Sequence, residues 1–190
     1  MGHVGPDLGF VEATIALHRV FDTPKDKIVF DVSHQTYPHK MLTGRKKAYM
    51  EESSYDEVGP YTDPKESPYD LFSIGHTYTS IDLAIGLAKA RDLLSGTEKV
   101  VAVIGDGSLS GGMALEGLSN AGEQESQLLI ILNDNEMSIA ENHGGMYKGL
   151  KRLRESNGQA EDNLFRAMGL EYLYEEQGND VESLVKALEK

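Results

Sequence analysis

The stretch VVAVIGDGSLSGGMALEGLSNAGEQESQLLIILNDN, residues 100–135, contains two apolar runs separated by a segment with helical spacing. The runs VVAVI (100–104) and LLIIL (128–132) are typical of fully buried parallel strands. GMALEGLSNAGE (112–123) supplies a crossover helix between them. The stretch therefore predicts a βαβ unit with two parallel strands.

The rest of the chain continues the alternation of helices and strands. The segments that carry it are a helix at 8–21, a strand within KIVFDVS (27–33), a helix from about Ser80 to Leu94, a helix at 160–169, a short strand EYLY (171–174) and an amphipathic helix at 180–190. A long connection from Tyr37 to Asp70 includes KMLTGRKKAYM (40–50), a helical candidate. We predict an α/β fold with an open, mostly parallel sheet flanked by helices, in a single domain spanning residues 1–190.

Composition excludes several classes of protein. The 190 residues carry a formal net charge of −13, which argues against a general nucleic-acid binder because phosphate backbones need a basic surface. The absence of cysteine excludes disulfide scaffolds, thiolate metal sites and a cysteine nucleophile. No apolar run approaches the roughly 20 residues of a membrane span, and the N-terminus lacks the features of a signal peptide. The expectation is a cytoplasmic protein with no nucleic-acid or membrane partner.

A polar group follows each of the two central apolar runs. Asp106 comes directly after the first run, and Asn135 follows the second. In parallel sheets both positions lie at the carboxyl edge, where ligands bind. A carboxylate, a side-chain carbonyl and a backbone carbonyl are hard oxygen ligands that suit Mg²⁺. The glycines at 105, 107, 111 and 112 would let backbone amides approach phosphate oxygens, so the pattern predicts a magnesium diphosphate ligand.

Two other interpretations of this glycine segment remain open from the residues alone. Residues 105–111 also resemble a dinucleotide fingerprint, although Asp106 inside the loop would repel a bare pyrophosphate without a cation. The glycines could equally form turns, with Asp106 as a helix cap. A P-loop is excluded because no G-K-[ST] sequence occurs in the chain.

Five motifs resemble those of one family of thiamine-diphosphate enzymes. They are GHVGPDLGFVEATIALHRVF (2–21), DVSHQTYPHKMLTGR (31–45), SIGHTYTSI (73–81), GDGSLSGGMALEG (105–117) and NDNEMSIAEN (133–142). Their order and approximate spacing are similar to those of the 1-deoxy-D-xylulose-5-phosphate synthases, within the transketolase superfamily. The resemblance spans nearly the whole chain and implies a thiamine-diphosphate-binding fold.

The resemblance also implies roles for individual residues. Asp106, the Asn135 side chain and the Met137 backbone carbonyl would bind Mg²⁺, and Gly107 and Ser108 would contact the diphosphate. The histidine-containing motifs would supply the remaining contacts: Gly75, His76, Thr77 and His34 to the cofactor, and His3 as a catalytic histidine near the substrate and the reactive thiazolium. Histidine suits such positions because it titrates near neutral pH.

The activity implied by the resemblance joins pyruvate to glyceraldehyde 3-phosphate with loss of CO₂, as a step toward isoprenoid precursors. The chain would then be the diphosphate-binding domain alone, without the pyrimidine-binding and C-terminal domains. It would be inactive by itself and would act as a homodimer or with a partner pyrimidine-binding domain. The alternatives are a transketolase-like N-terminal subunit acting on sugar phosphates and a non-catalytic cofactor-binding module.

The sequence departs from the family pattern at several positions. Thr77 replaces a serine, and Tyr78 stands where the family usually has a small hydroxyl residue, which would narrow the pocket. GPD at 5–7 replaces a small-Ser-Asn sequence. The stretch from His143 to Asp162 is much shorter than the corresponding family segment, which suggests a divergent branch with an altered substrate.

Overall fold

Three parallel strands form the sheet of this computed structural model, which describes residues 4–136 and 141–190. The strands are β1 (Lys27–Phe30), β2 (Val100–Gly105) and β3 (Leu129–Asn133), in the order β1-β2-β3. Both strand pairings are parallel, so the carboxyl ends of the strands meet at one edge of the sheet. The predicted open, parallel α/β architecture is confirmed.

Helices connect these strands and pack against the sheet. In chain order the α-helices of the described residues are α1 (Val4–Leu8), α2 (Val11–Val20), α3 (Tyr37–Lys40), α4 (Lys47–Met50), α5 (Ser80–Leu93), α6 (Asp106–Leu109), α7 (Gly112–Gln124), α8 (Gly145–Glu155), α9 (Leu164–Ala167) and α10 (Val181–Leu188). A wide turn at Met41–Arg45 and a 3-10 turn at Glu52–Glu57 complete the long connection before α5. Among these helices, none has the length and apolar character needed to cross a membrane.

The central strand β2 contributes side chains to two apolar clusters. Ala102 and Ile104 pack in a cluster that includes residues of α5 and α7. Val101 and Val103 pack in a second cluster with Phe10 and Leu17. Burial on both faces explains why β2 is a continuous apolar run instead of an alternating one.

Strand β3 is less buried than its apolar sequence predicts. Leu129 is 38% exposed and the following residues of the strand are half-buried. Within the described sheet β3 pairs with β2 on one side and forms an edge. The expectation of full burial is wrong because an apolar run does not distinguish an edge strand from a central one.

The chain after α8 also differs from the prediction. Residues 171–174, expected to form a strand, are not in one, and the helix expected at 160–169 is limited to α9. Tyr172 instead stacks on Phe165 with ring centroids 5.0 Å apart. Leu173 is 61% exposed, so this short run is not buried as the core strand that its composition predicts.

Helix α7 approaches the segment after α9 so closely that no side chain can be accommodated at Gly122. A Cβ there would lie 1.7 Å from the carbonyl oxygen of Met168. We expect Gly122→Ala to lower the free energy of unfolding by about 1 to 3 kcal/mol, because the backbone must move. Gly86→Ala in α5 is the matched control, since a Cβ there meets nothing within 4 Å. It should raise the free energy of unfolding by about 0.5 to 1 kcal/mol. Equal values for the two variants in urea unfolding would contradict the close approach.

Candidate functional site

Asp106 is a buried carboxylate at the carboxyl end of β2. Its side chain accepts hydrogen bonds from the backbone N–H of Gly107 at 2.9 Å and from Asn142 Nδ2 at 2.8 Å. Burial, followed by the nearby charge of Asp134, raises the pKa of Asp106 to about 6. A carboxylate in this environment would be stabilised by a cation.

The loop after β3 meets Asp106 at the same edge. Asp134 lies close enough for its charge to raise the pKa of Asp106, and the backbone N–H of Glu136, which donates a hydrogen bond to Asp134 Oδ1 at 3.4 Å, lies near the Asp106 carboxylate. Asn135 lies between these two residues and is exposed. The structure thus brings Asp106 together with the loop that contains Asn135, whereas Met137 lies outside the described residues.

The glycine segment borders open space beside Asp106. A Cβ at Gly105 or Gly112 would meet nothing within 4 Å. Gly112 is also the first residue of α7, a helix of 13 residues whose N-terminal amides favour an anion. Gly107 and Ser108 lie half-buried in α6 between these two glycines. The backbone is therefore accessible where a diphosphate would need it.

The loop containing Gly75, His76 and Thr77 is attached to the end of β1 by Asp31. This carboxylate, 1% exposed, accepts hydrogen bonds from the backbone N–H groups of Tyr78, Thr79 and Ser80 at 2.8 to 3.0 Å. The three donors precede or begin α5, so Asp31 caps that helix from a neighbouring element. The loop is thereby held at the carboxyl edge of the sheet.

Tyr78 joins this loop to the glycine segment. Its φ of 61° lies in the left-handed region, and its ring occupies the space above Gly111, where a Cβ would lie 2.2 Å from Cδ1 of the tyrosine. The His76 ring makes an edge contact with Tyr78 at 5.2 Å between centroids. The contact with Gly111 places the 75–77 loop next to the glycine segment.

Of the other two histidines predicted for the site, the structure describes only His34. His34 is half-buried in the turn after β1, where the adjacent Ser33 Oγ donates a hydrogen bond to the carbonyl of Ile74 at 2.8 Å. This bond places His34 near the start of the 75–77 loop. His3 lies outside the described residues.

A buried charge cluster lies under the segment that leads into the 75–77 loop. It consists of His39, Lys40, Arg45, Glu66 and Asp70. The Lys40 ammonium, in a residue with no exposed surface, donates to Glu66 Oε2 and to the carbonyls of Gly59 and Tyr61. Arg45 donates two hydrogen bonds to Asp70, at 2.6 and 2.8 Å. The sequence motif that contains His39 and Lys40 implied no chemical role for them, and the structure shows that both belong to this cluster.

Among the site residues that the sequence patterns did not single out are Asp31, Asp134 and Arg154. Asp31 could have been found, because it follows the apolar run of β1 just as Asp106 follows that of β2. Asp134 is adjacent to Asn135 and could have been included on the same grounds. Arg154, which forms ion pairs with Asp134 and Glu136, carries no signal because it lies on a separate helix, 20 residues from Asp134.

The arrangement is chemically suited to a magnesium diphosphate. It combines a buried carboxylate of raised pKa, a second carboxylate, an amide side chain and open glycine backbone before a helix N-terminus. The described residues contain no cluster of three or more His, Asp or Glu able to hold a metal by themselves. Mg²⁺ commonly completes its coordination with water and substrate phosphate oxygens, which a diphosphate bound at the glycine segment would supply.

Comparison with known families gives one extended match. The sequence model of the 1-deoxy-D-xylulose-5-phosphate synthase family matches residues 1–161. Curated synthases from Desulfitobacterium hafniense and Carboxydothermus hydrogenoformans are each 53% identical over 153 residues, 80% of this chain. A synthase from Geobacter metallireducens is 54% identical over 151 residues. The chain spans about a quarter of the length of these relatives, 24 to 25%.

Comparison with solved structures supports the same fold. Transketolase from Leishmania mexicana aligns with a TM-score of 0.66 over 100% of this chain and 30% of its own. The sequence identity is 19%, so this likeness concerns the fold alone.

Proposed function

This chain belongs to the 1-deoxy-D-xylulose-5-phosphate synthase family, and on that basis we propose that it is the diphosphate-binding part of a thiamine-diphosphate-dependent transferase. The observation that carries the proposal is the meeting of Asp106 with the loop around Asn135, beside accessible glycine backbone. A dinucleotide would not require a buried carboxylate at the centre of its phosphate loop.

In this proposal each predicted residue binds the metal, contacts the cofactor or transfers protons. Asp106 and Asn135 hold Mg²⁺ together with the Met137 carbonyl, and Gly107 and Ser108 contact the diphosphate. The cofactor is further contacted by Gly75, His76, Thr77 and His34, and His3 moves protons near the substrate. When bound, thiamine diphosphate supplies the carbanion and the electron sink, while the protein orients it, holds its anion and excludes water.

The substrates we propose are pyruvate and glyceraldehyde 3-phosphate, joined with loss of CO₂ in the cytoplasm. The synthase names of the sequence relatives favour this reaction over ketol transfer between sugar phosphates. We propose that this part of the enzyme acts with a pyrimidine-binding domain or as a homodimer and is inactive by itself, since the proposed metal and diphosphate contacts hold only one end of the cofactor.

Calorimetric titration with thiamine diphosphate, with and without Mg²⁺, tests the proposal. We expect saturable binding that requires Mg²⁺, because the buried carboxylate would otherwise repel the diphosphate. NAD⁺ is the control ligand and should not bind. Tighter binding of NAD⁺, or no binding of thiamine diphosphate to the chain even when it is supplemented with the pyrimidine-binding domain of a relative, would contradict the proposal.

A further inference from the structure

Helix α8 returns to the candidate cation site and contacts both of the strand ends that form it. Tyr147 lies in the first turn of the helix, and its hydroxyl is 3.4 Å from the carbonyl oxygen of Asp106. Asn142, just before the helix, donates to the Asp106 carboxylate. Arg154, in the last turn, reaches the loop after β3. The segment 143–162, which the sequence comparison predicts to be shorter than in the family, is thus packed against the site.

Arg154 connects two carboxylates that flank Asn135. Its two terminal nitrogens donate to Asp134 Oδ2 and to Glu136 Oε1. The Arg154 and Asp134 side chains are 22% and 15% exposed, so this pair is partly shielded from solvent. The planar guanidinium can hold both carboxylates in one geometry, which a lysine cannot do.

The backbone between the two carboxylates requires such support. Glu136 has a φ of 64°, a left-handed conformation that non-glycine residues rarely adopt. Its N–H donates to Asp134 Oδ1 at 3.4 Å and lies near the Asp106 carboxylate, so its conformation affects how the loop meets Asp106. Because both neighbours of Asn135 pair with Arg154, the loop that contains Asn135 is tied to α8.

We propose that Arg154 is a positioning residue for the cation site, holding Asn135 beside Asp106 by bridging Asp134 and Glu136. The proposal rests on the proposed function, because it assumes that Asp106 and Asn135 bind the cation. The simpler alternative is that Arg154 only neutralises the two carboxylates.

These two roles predict opposite changes in cation affinity. If Arg154 only neutralises charge, its removal would relieve repulsion and free two carboxylates, so the cation would bind more tightly. If Arg154 positions the loop, its removal would leave Asn135 less ordered. Ordering Asn135 would then reduce the favourable free energy of cation binding. This reduction corresponds to a factor of about ten in affinity for one residue's backbone.

The test uses Mn²⁺ as a paramagnetic probe of the full chain, with and without thiamine diphosphate, followed by broadening of amide signals at Asp106 and Asn135. We expect Arg154→Ala to raise the dissociation constant of Mn²⁺ about tenfold. Arg154→Lys keeps the charge but loses the fork, so it should restore only part of the affinity. Arg152→Ala, two residues earlier and exposed, removes an equal charge and should leave the dissociation constant unchanged or lower.

Unchanged or tighter Mn²⁺ binding in Arg154→Ala would overturn the inference while leaving the proposed function intact. If the unsubstituted chain gives no broadening at Asp106 under either condition, even when it is supplemented with the pyrimidine-binding domain of a relative, the proposed function fails instead. Amide hydrogen exchange at Asn135 and Glu136 without any cation then decides whether Arg154 positions the loop. Exchange should be faster in Arg154→Ala than in Arg152→Ala, and equal rates would overturn the positioning role.

Discussion

Asp106→Asn will lose the Mg²⁺-dependent binding of thiamine diphosphate while the folded chain becomes no less stable. The carboxylate is 2% exposed and lies near Asp134, and burial together with that neighbour raises its pKa to about 6. Removing its charge relieves both unfavourable effects in the cation-free protein. An asparagine can keep the Gly107 contact, and the Asn142 amide can rotate to accept from it.

The same substitution should weaken cation binding, although it does not destabilise the folded chain. Loss of an outer-shell partner typically lowers metal affinity about 10- to 100-fold, so loss of a direct ligand should cost at least about 100-fold. Titration calorimetry with Mg²⁺ and thiamine diphosphate measures the affinity, and thermal unfolding without ligand measures the stability. Asp56→Asn, which removes an exposed carboxylate, is the control and should change neither. Binding within a few-fold of the unsubstituted chain would remove Asp106 from the site, and a large loss of stability would show that its role is structural.

Asp70→Asn should produce the largest loss of stability among single substitutions in the buried charge cluster. Burial alone would raise the pKa of Asp70, but hydrogen bonds from Arg45 and His39 hold it well below its usual range. Asp70 also accepts from the backbone N–H of Asp63 at 3.0 Å. Without this carboxylate, the buried charge of Arg45 loses its bidentate partner and keeps only hydrogen bonds to Glu66, at 3.1 Å, and to the neutral Thr43 hydroxyl, at 2.8 Å. Breaking a buried ion pair on one side costs about 3 to 5 kcal/mol.

Glu182→Gln gives the matched comparison. It removes the partner of Arg19 in an ion pair between α2 and α10 whose side chains are 48% and 65% exposed. Such exposed pairs contribute about 0 to 1 kcal/mol. Urea unfolding should therefore separate the two variants by several kcal/mol. Similar free energies of unfolding would mean that the Arg45 charge is well solvated without Asp70 and that the cluster is not a stabilising core.

The sequence predicts the parts of the fold that depend on hydrophobic periodicity and on the glycine and polar residues that end strands and helices. The runs around Val101 and Ile130 form parallel strands because buried strands need continuous apolar side chains, and Asp106 and the Asn135 loop meet because parallel strands end at one edge. The five motifs identified the family, and the family model confirms it over residues 1–161.

The sequence does not predict which charged residues pair across distant segments of the chain. Lys40 is in a segment that resembles a solvated helix, yet its ammonium is enclosed by groups 19 to 26 residues away. Arg154 is one of several basic residues on α8, and nothing in the spacing distinguishes it from Arg152. Partners of this kind are determined by how separate elements pack, which local propensity and periodicity do not contain.

The Asp31 carboxylate gives the 75–79 region its shape before any ligand arrives. Three amides that would otherwise be unpaired at the start of α5 are satisfied by the residue that directly follows β1, so the conformational entropy of this loop is lost during folding. A cofactor that binds such a loop does not lose affinity through ordering it. Association should consequently resemble docking to a preformed surface at Gly75, His76 and Thr77.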